Sequence, residues 1–99
     1  MTGETPQEFI DTLSYGMEQA FVYRGRTMCV QGWREESGVI YCTLDLWDSE
    51  DDKRKDGSWK LWEFRASTPD ECVEAFLAAP LFDGRTFWEA EGEIEVIFA

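Results

Sequence analysis

Gly38-Val39-Ile40-Tyr41-Cys42-Thr43-Leu44-Asp45-Leu46-Trp47 alternates in a way that an extended strand explains and a helix does not. Successive strand side chains point to opposite faces, so Ile40, Cys42, Leu44 and Leu46 form one uniformly apolar face. Val39, Tyr41, Thr43, Asp45 and Trp47 fall on the other, which mixes aromatic with polar groups. The first face needs a cover of helices, and the second is the candidate surface.

The segments on either side extend this strand into a sheet. Ala20 to Tyr23 and Arg26 to Trp33 flank Arg24-Gly25, a pair suited to a tight hairpin turn because glycine tolerates positive φ. A polar turn at Glu35 to Ser37 separates Trp33 from the quoted strand. Turning tightly on Glu35-Glu36 would set Met28 opposite Thr43 and Val30 opposite Tyr41, dry face against wet. A three-residue turn instead pairs Met28 and Val30 with the apolar face and sends Thr27, Cys29, Gln31 and Trp33 outward. After the loop Asp48 to Gly57, Ser58 to Arg65 reads as another strand, with Trp62 and Phe64 inward and Trp59, Leu61, Glu63 and Arg65 outward. The expectation is an antiparallel meander of three to four strands, three if the first merges into the approach to the second.

Helices to cover the apolar face are announced twice. Thr5-Pro6-Gln7-Glu8 combines a threonine N-cap, proline at the first helical position and a glutamate placed to close a capping box. Phe9, Ile10, Leu13 and Met17 then recur at helical spacing, and Gly16 is a plausible stop. Thr68-Pro69-Asp70-Glu71 repeats the signature ahead of Val73, Phe76 and Leu77, with Cys72 beside them and Pro80 ending the run. The tail reads two ways. Thr86-Phe87-Trp88-Glu89 opens a third helix, and Phe87, Ala90, Ile94, Ile97 and Phe98 keep helical spacing, yet Glu93 to Val96 alternates like a strand. Gly92 costs a helix about 1 kcal/mol relative to alanine, and the continuous helix is the favoured reading over a short helix plus a terminal strand. The fold class is α+β, order α-β-β-β-β-α-α, one acidic domain over residues 1–99 with the capped helices packed on one face.

Composition bounds the function. The chain carries 21 acidic against 9 basic residues, a formal net charge of -12, and no histidine. Without imidazole there is no Ser-His-Asp or Cys-His pair and no imidazole metal site. Asp45 with Glu63 is a cross-strand carboxylate pair that so acidic a chain generates by chance. The loop DSEDDKRKDGS lacks the ligand order of a calcium loop, and Gly25, Gly32 and Gly38 are too scattered to cradle a phosphate. We therefore expect no enzyme, no cofactor and no metal site.

Such an acidic chain repels phosphate backbones, so partners are expected to be neutral or basic and direct nucleic-acid binding is not expected. No stretch approaches the roughly 20 apolar residues of a membrane span, and the N-terminus lacks a basic segment ahead of an apolar signal core, so a cytoplasmic protein is expected. Cys29, Cys42 and Cys72 show no C-x-x-C spacing, and an odd count suits three free thiols, with Cys42 the least reactive between Ile40 and Leu44.

Trp33, Tyr41, Trp47 and Trp59 are the candidate binding residues, because tryptophan and tyrosine supply large contact area with a polar handle. The functional expectation is a small non-enzymatic protein-binding module, with a protein partner or a second copy of itself on this face. The alternative is an acidic inhibitor mimicking nucleic-acid charge for a DNA- or RNA-binding protein, with Glu89, Glu91, Glu93 and Glu95 beside Asp83 imitating phosphates.

Overall fold

The computed structural model describes residues 1–47 and 60–98, so the Asp48 to Gly57 loop reading lies outside the described residues. Along the chain come α1 (Pro6–Gly16), β1 (Glu18–Tyr23), β2 (Arg26–Arg34), β3 (Ile40–Leu46), β4 (Lys60–Ala66), α2 (Pro69–Ala78), α3 (Phe87–Ala90), a 3-10 turn (Glu91–Glu93) and β5 (Ile94–Phe98). The sheet order is β4-β3-β2-β1-β5, with every neighbouring pair antiparallel. This is the α+β meander expected from the alternation, enlarged to five strands.

Both T-P-x-E sequences start helices. At α1 the box is reciprocal: the Glu8 N–H donates to Thr5 Oγ1 at 3.2 Å, and the Thr5 N–H donates to Glu8 Oε1 at 3.1 Å. At α2 the Glu71 N–H donates to Thr68 Oγ1 at 3.3 Å, while the Thr68 hydroxyl donates to the Glu71 carboxylate. Helix α1 runs through Gly16 and is capped by Met17 in the left-handed conformation, φ 53°. The Met17 carbonyl accepts from the Gly32 N–H at 2.8 Å, tying the helix end to β2. A Cβ at Gly32 would sit 2.6 Å from the terminal methyl of Met17, which would have to move aside.

The two-residue loop Arg24-Gly25 joins Tyr23 to Arg26 with φ of 50° and 78°, the positive pair that matches strand twist in a tight hairpin. Between β2 and β3 the register pairs Arg34 with Ile40, and the Glu35 N–H donates to Val39 O at 2.8 Å, so the turn is three residues long, 36–38, one position further on than Glu35 to Ser37. Met28 and Val30 lie opposite Leu46 and Leu44, as the hydrophobic pattern requires.

The tail corrects the continuous-helix reading. Helix α3 is one turn long, Gly92 falls in the 3-10 turn, and Ile94–Phe98 pairs antiparallel with β1. Without β5, β1 would leave a row of unpaired backbone groups at a sheet edge, and pairing them outweighs the helical spacing of the same residues. Beyond β5, the Thr2 N–H donates to Ile94 O at 3.0 Å and the Val96 N–H to Thr2 O at 2.9 Å, a short parallel bridge. A Cβ on Gly3 would meet Val96 O at 2.5 Å, so this approach depends on glycine.

The core lies between the sheet and the helices, and phenylalanine dominates it. Phe9 of α1 stacks on Phe87 at 5.2 Å and meets Phe21 of β1 edge-on at 5.9 Å. Phe76 of α2 approaches Phe82 at 6.2 Å, and Phe82 lies edge-on to Tyr23 at 5.1 Å. These edge and offset arrangements suit the ring quadrupoles and add to the burial itself. Trp62 and Phe64 point to this side as their parity demands, but β4 is a sheet edge beyond full helix cover, so Trp62 is half-buried and Phe64 exposed. Among the described residues, no helix is long and apolar enough to cross a membrane.

Candidate binding face of the sheet

On the face away from the helices, β2, β3 and β4 bring Trp33, Tyr41 and Arg65 side by side. Trp33 packs edge-on against the Tyr41 ring at 5.1 Å, and the Arg65 guanidinium lies 4.1 Å from the centre of that ring. Arg65 Nε also donates to Glu35 Oε1 at 3.1 Å, which holds the guanidinium in place. Lys60 Nζ donates to the Tyr41 hydroxyl at 2.9 Å and to Glu63 at 3.3 Å, and the Tyr41 hydroxyl donates to Glu63. The Tyr41 and Lys60 hydrogen bonds hold the Glu63 carboxyl below its ordinary range, and the same Tyr41 and Glu63 contacts raise the Lys60 ammonium.

Tyr41 is therefore only 8% exposed: its ring is already occupied by the chain's own cation. Trp33, at 48% exposed, is the aromatic surface that this cluster presents. Trp47 is 42% exposed on the same face, but six positions along β3 from Tyr41 it stands about 20 Å away at the other end of the sheet. Trp33 and Tyr41 thus form one cluster and Trp47 a separate contact, while Trp59 lies outside the described residues.

Between these ends the face is lined by small buried side chains, Ala20, Cys29 and Thr43, and by Asp45 at 2% exposure. Asp45 Oδ2 accepts from Gln31 Nε2 at 2.9 Å and Thr43 Oγ1 at 3.1 Å, whereas Oδ1 has no hydrogen bond among the described residues. A buried carboxylate served by two neutral donors retains much of its desolvation cost. Burial first, then the negative charges of Glu18 and Asp45, pushes the Cys29 thiol up to about 12. Asp45 and Glu63 do not form a catalytic pair: Asp45 lies opposite Cys29 and Lys60, Glu63 opposite Thr43, and the two carboxylates serve different networks.

The sequence did not reveal the Arg65 cover on Tyr41 or the isolation of Asp45. A cross-strand register through two hairpins is needed to see the first. For the second, the signal is the order Thr43-Asp45-Trp47, which puts a single acid in mid-strand on one face.

The acidic tail is not a free row of charges. Glu89 accepts from the Thr86 N–H at 2.9 Å, and Glu91 accepts from the Met1 amine at 3.2 Å. Arg24 donates to Glu93 at 2.9 Å and to Asp83 at 2.8 Å, and Arg85 donates to Glu93 and to the Tyr23 hydroxyl. The Arg24 and then the Arg85 hydrogen bonds hold the Glu93 carboxyl down at about 2. These groups clamp the β1–β2 turn to the turns around Asp83 and Glu93.

Among the described residues, no three metal-ligating side chains converge on one point. No family model, curated protein or solved structure matches the chain.

Proposed function

We propose that this chain is a non-enzymatic protein-binding module that meets its partner through the sheet face opposite the helices. The carrying observation is that Trp33 and Trp47 remain 48% and 42% exposed on that face, at its two ends. Exposed tryptophan loses apolar contact with water on docking, and its indole N–H supplies a hydrogen bond at the rim. A net charge of -12 favours a partner segment that is neutral or basic.

Mimicry of nucleic acid is the weaker reading, because Asp83, Glu89, Glu91 and Glu93 already serve internal partners. Affinity capture from the source cells, with wild type beside Trp33→Ala and Trp47→Ala, tests the proposal. Loss of the same captured protein in both variants, without loss of folding, supports it. Capture that both variants retain and that raised salt abolishes steeply would transfer the function to the acidic surface.

A further inference from the structure

Cys42 and Cys72 meet where the sequence shows no relation between them. Cys42 sits on the helix-facing side of β3, opposite Gly32 and Phe64, and Cys72 lies in the first turns of α2. With Ile40 they form a small buried cluster of their own, apart from the phenylalanine core. Cys72 Sγ is 3.7 Å from the Ile40 carbonyl, so the helix start lies directly on β3 at this point. The two thiols are each 1% exposed, and Met17 and Trp62 pack against their cluster from outside. Gly32 leaves the room that the Met17 side chain fills: a Cβ there would stand 2.6 Å from Met17 Cε and 3.2 Å from Cys42 Cβ. Cys29 is excluded from any such pair, since it lies on the opposite face of the sheet.

We propose that Cys42 and Cys72 are a reversible disulfide site, formed by small peroxides, that bonds β3 to the start of α2. The thiolate of one cysteine attacks a peroxide oxygen, the O–O bond breaks, and hydroxide leaves, giving a sulfenic acid. The second thiolate attacks that sulfur, the S–S bond forms and the S–O bond breaks. With protons counted, two thiols and one hydrogen peroxide give one disulfide and two waters, so both electrons pass to the peroxide.

Cys72 is the better first nucleophile, for two reasons. It lies near the N-terminal end of α2, where backbone N–H groups favour negative charge. The neighbouring Cys42 also acts to lower the Cys72 pKa, favouring its thiolate, while the Cys42 thiol is pushed up to about 12, chiefly by burial and then by Cys72. Burial still raises Cys72 overall, so reaction is slow and gated by access past Met17. A small peroxide suits this route better than a bulky disulfide reagent.

The test is peroxide treatment of the native protein, alkylation of remaining thiols, denaturation, digestion and mass spectrometry of the peptides. The expected result is a Cys42–Cys72 linked peptide, alkylated Cys29, and full return of three alkylated thiols after reduction before alkylation. Met17→Ala should accelerate linkage several-fold by opening the cover. Cys29→Ser, which leaves only the proposed pair, should gain several degrees in melting temperature on oxidation and lose them on reduction. Three unreacted thiols at peroxide levels that oxidise an unfolded control, a link that includes Cys29, or separate sulfinic acids at 42 and 72 would each overturn the proposal.

Discussion

The two faces of the sheet solve the same problem, closing over strand side chains, with opposite materials. Under the helices large rings fill space: Phe9, Phe21, Phe76, Phe82 and Phe87 are all essentially buried and touch in edge-on, tilted or stacked pairs. On the far face the buried positions are small or polar, Ala20, Cys29, Thr43 and Asp45, and the large rings stand at the ends. A helix-covered face is stabilised by volume, whereas the far face depends on hydrogen bonds and cation contacts that, among the described residues, leave one carboxylate oxygen unserved. Burial alone therefore does not mark a stabilising residue in this protein. Substitutions that are ordinary in size should act in opposite senses on the two faces.

The largest effect belongs to the helix side. Phe76→Ala should lower unfolding free energy by about 3 to 5 kcal/mol in denaturant titration, because Phe76 touches Phe9, Trp62, Phe82 and Phe87 and no neighbour can fill the void. A loss as small as that of a surface substitution would mean that the ring cluster is not the structural core. The helix caps come next. Thr5→Ala and Thr68→Ala should each cost about 0.5 to 2 kcal/mol. The greater loss is expected at Thr68, because Glu8 still holds the Thr5 N–H after substitution, whereas the Glu71 carboxylate loses its Thr68 hydroxyl partner. Equal denaturant midpoints for wild type and both variants would refute the capping assignments.

On the far face the sign reverses. Asp45→Asn keeps an acceptor for Gln31 and Thr43 but removes a buried charge, so it should raise stability by about 1 kcal/mol. A destabilised Asp45→Asn protein would show that the carboxylate is satisfied after all. Acid sharpens the contrast further. The Glu93 carboxyl ionises at about 2 in place of 4.5, so its contribution is fully present above the ordinary carboxylate range and is lost as pH falls toward 2. Melting temperature followed from pH 6 to pH 2 should fall less steeply in Glu93→Gln than in wild type. The smallest stability change is expected for Trp47→Ala, within about 0.5 kcal/mol, and a loss of several kcal/mol would move that ring from the surface to the core.

What the sequence made legible was local chemistry. The caps at Thr5 and Thr68, the Arg24-Gly25 hairpin and the parity of β2 and β3 depend on neighbours a few positions apart, and each was readable from residue type and spacing. What failed was set at long range. Ile94 to Phe98 satisfied a helical and an extended pattern alike, and the decision came from the open edge of β1, more than 70 positions earlier in the chain. Phe64 read as core because its parity is right, but parity is blind to how far a covering helix reaches across a sheet. The candidate surface was legible in composition and only partly in geometry: Trp33 and Trp47 share the expected face, but Tyr41 is screened by Arg65 and the tryptophans stand at opposite ends.

The pairing of β1 with β5 also sets an order of events in time. Hairpins β1–β2 and β2–β3 close over loops of a few residues, so they form early, while β1 must wait for the last strand of the chain. During synthesis the Glu18–Tyr23 edge therefore emerges with Phe21 and Val22 in extended backbone and no strand yet made to cover it. Any other chain with a free strand can pair there first. The yield of folded protein should then depend on crowding and on how quickly residues 94–98 follow, which are kinetic quantities that the finished sheet does not display.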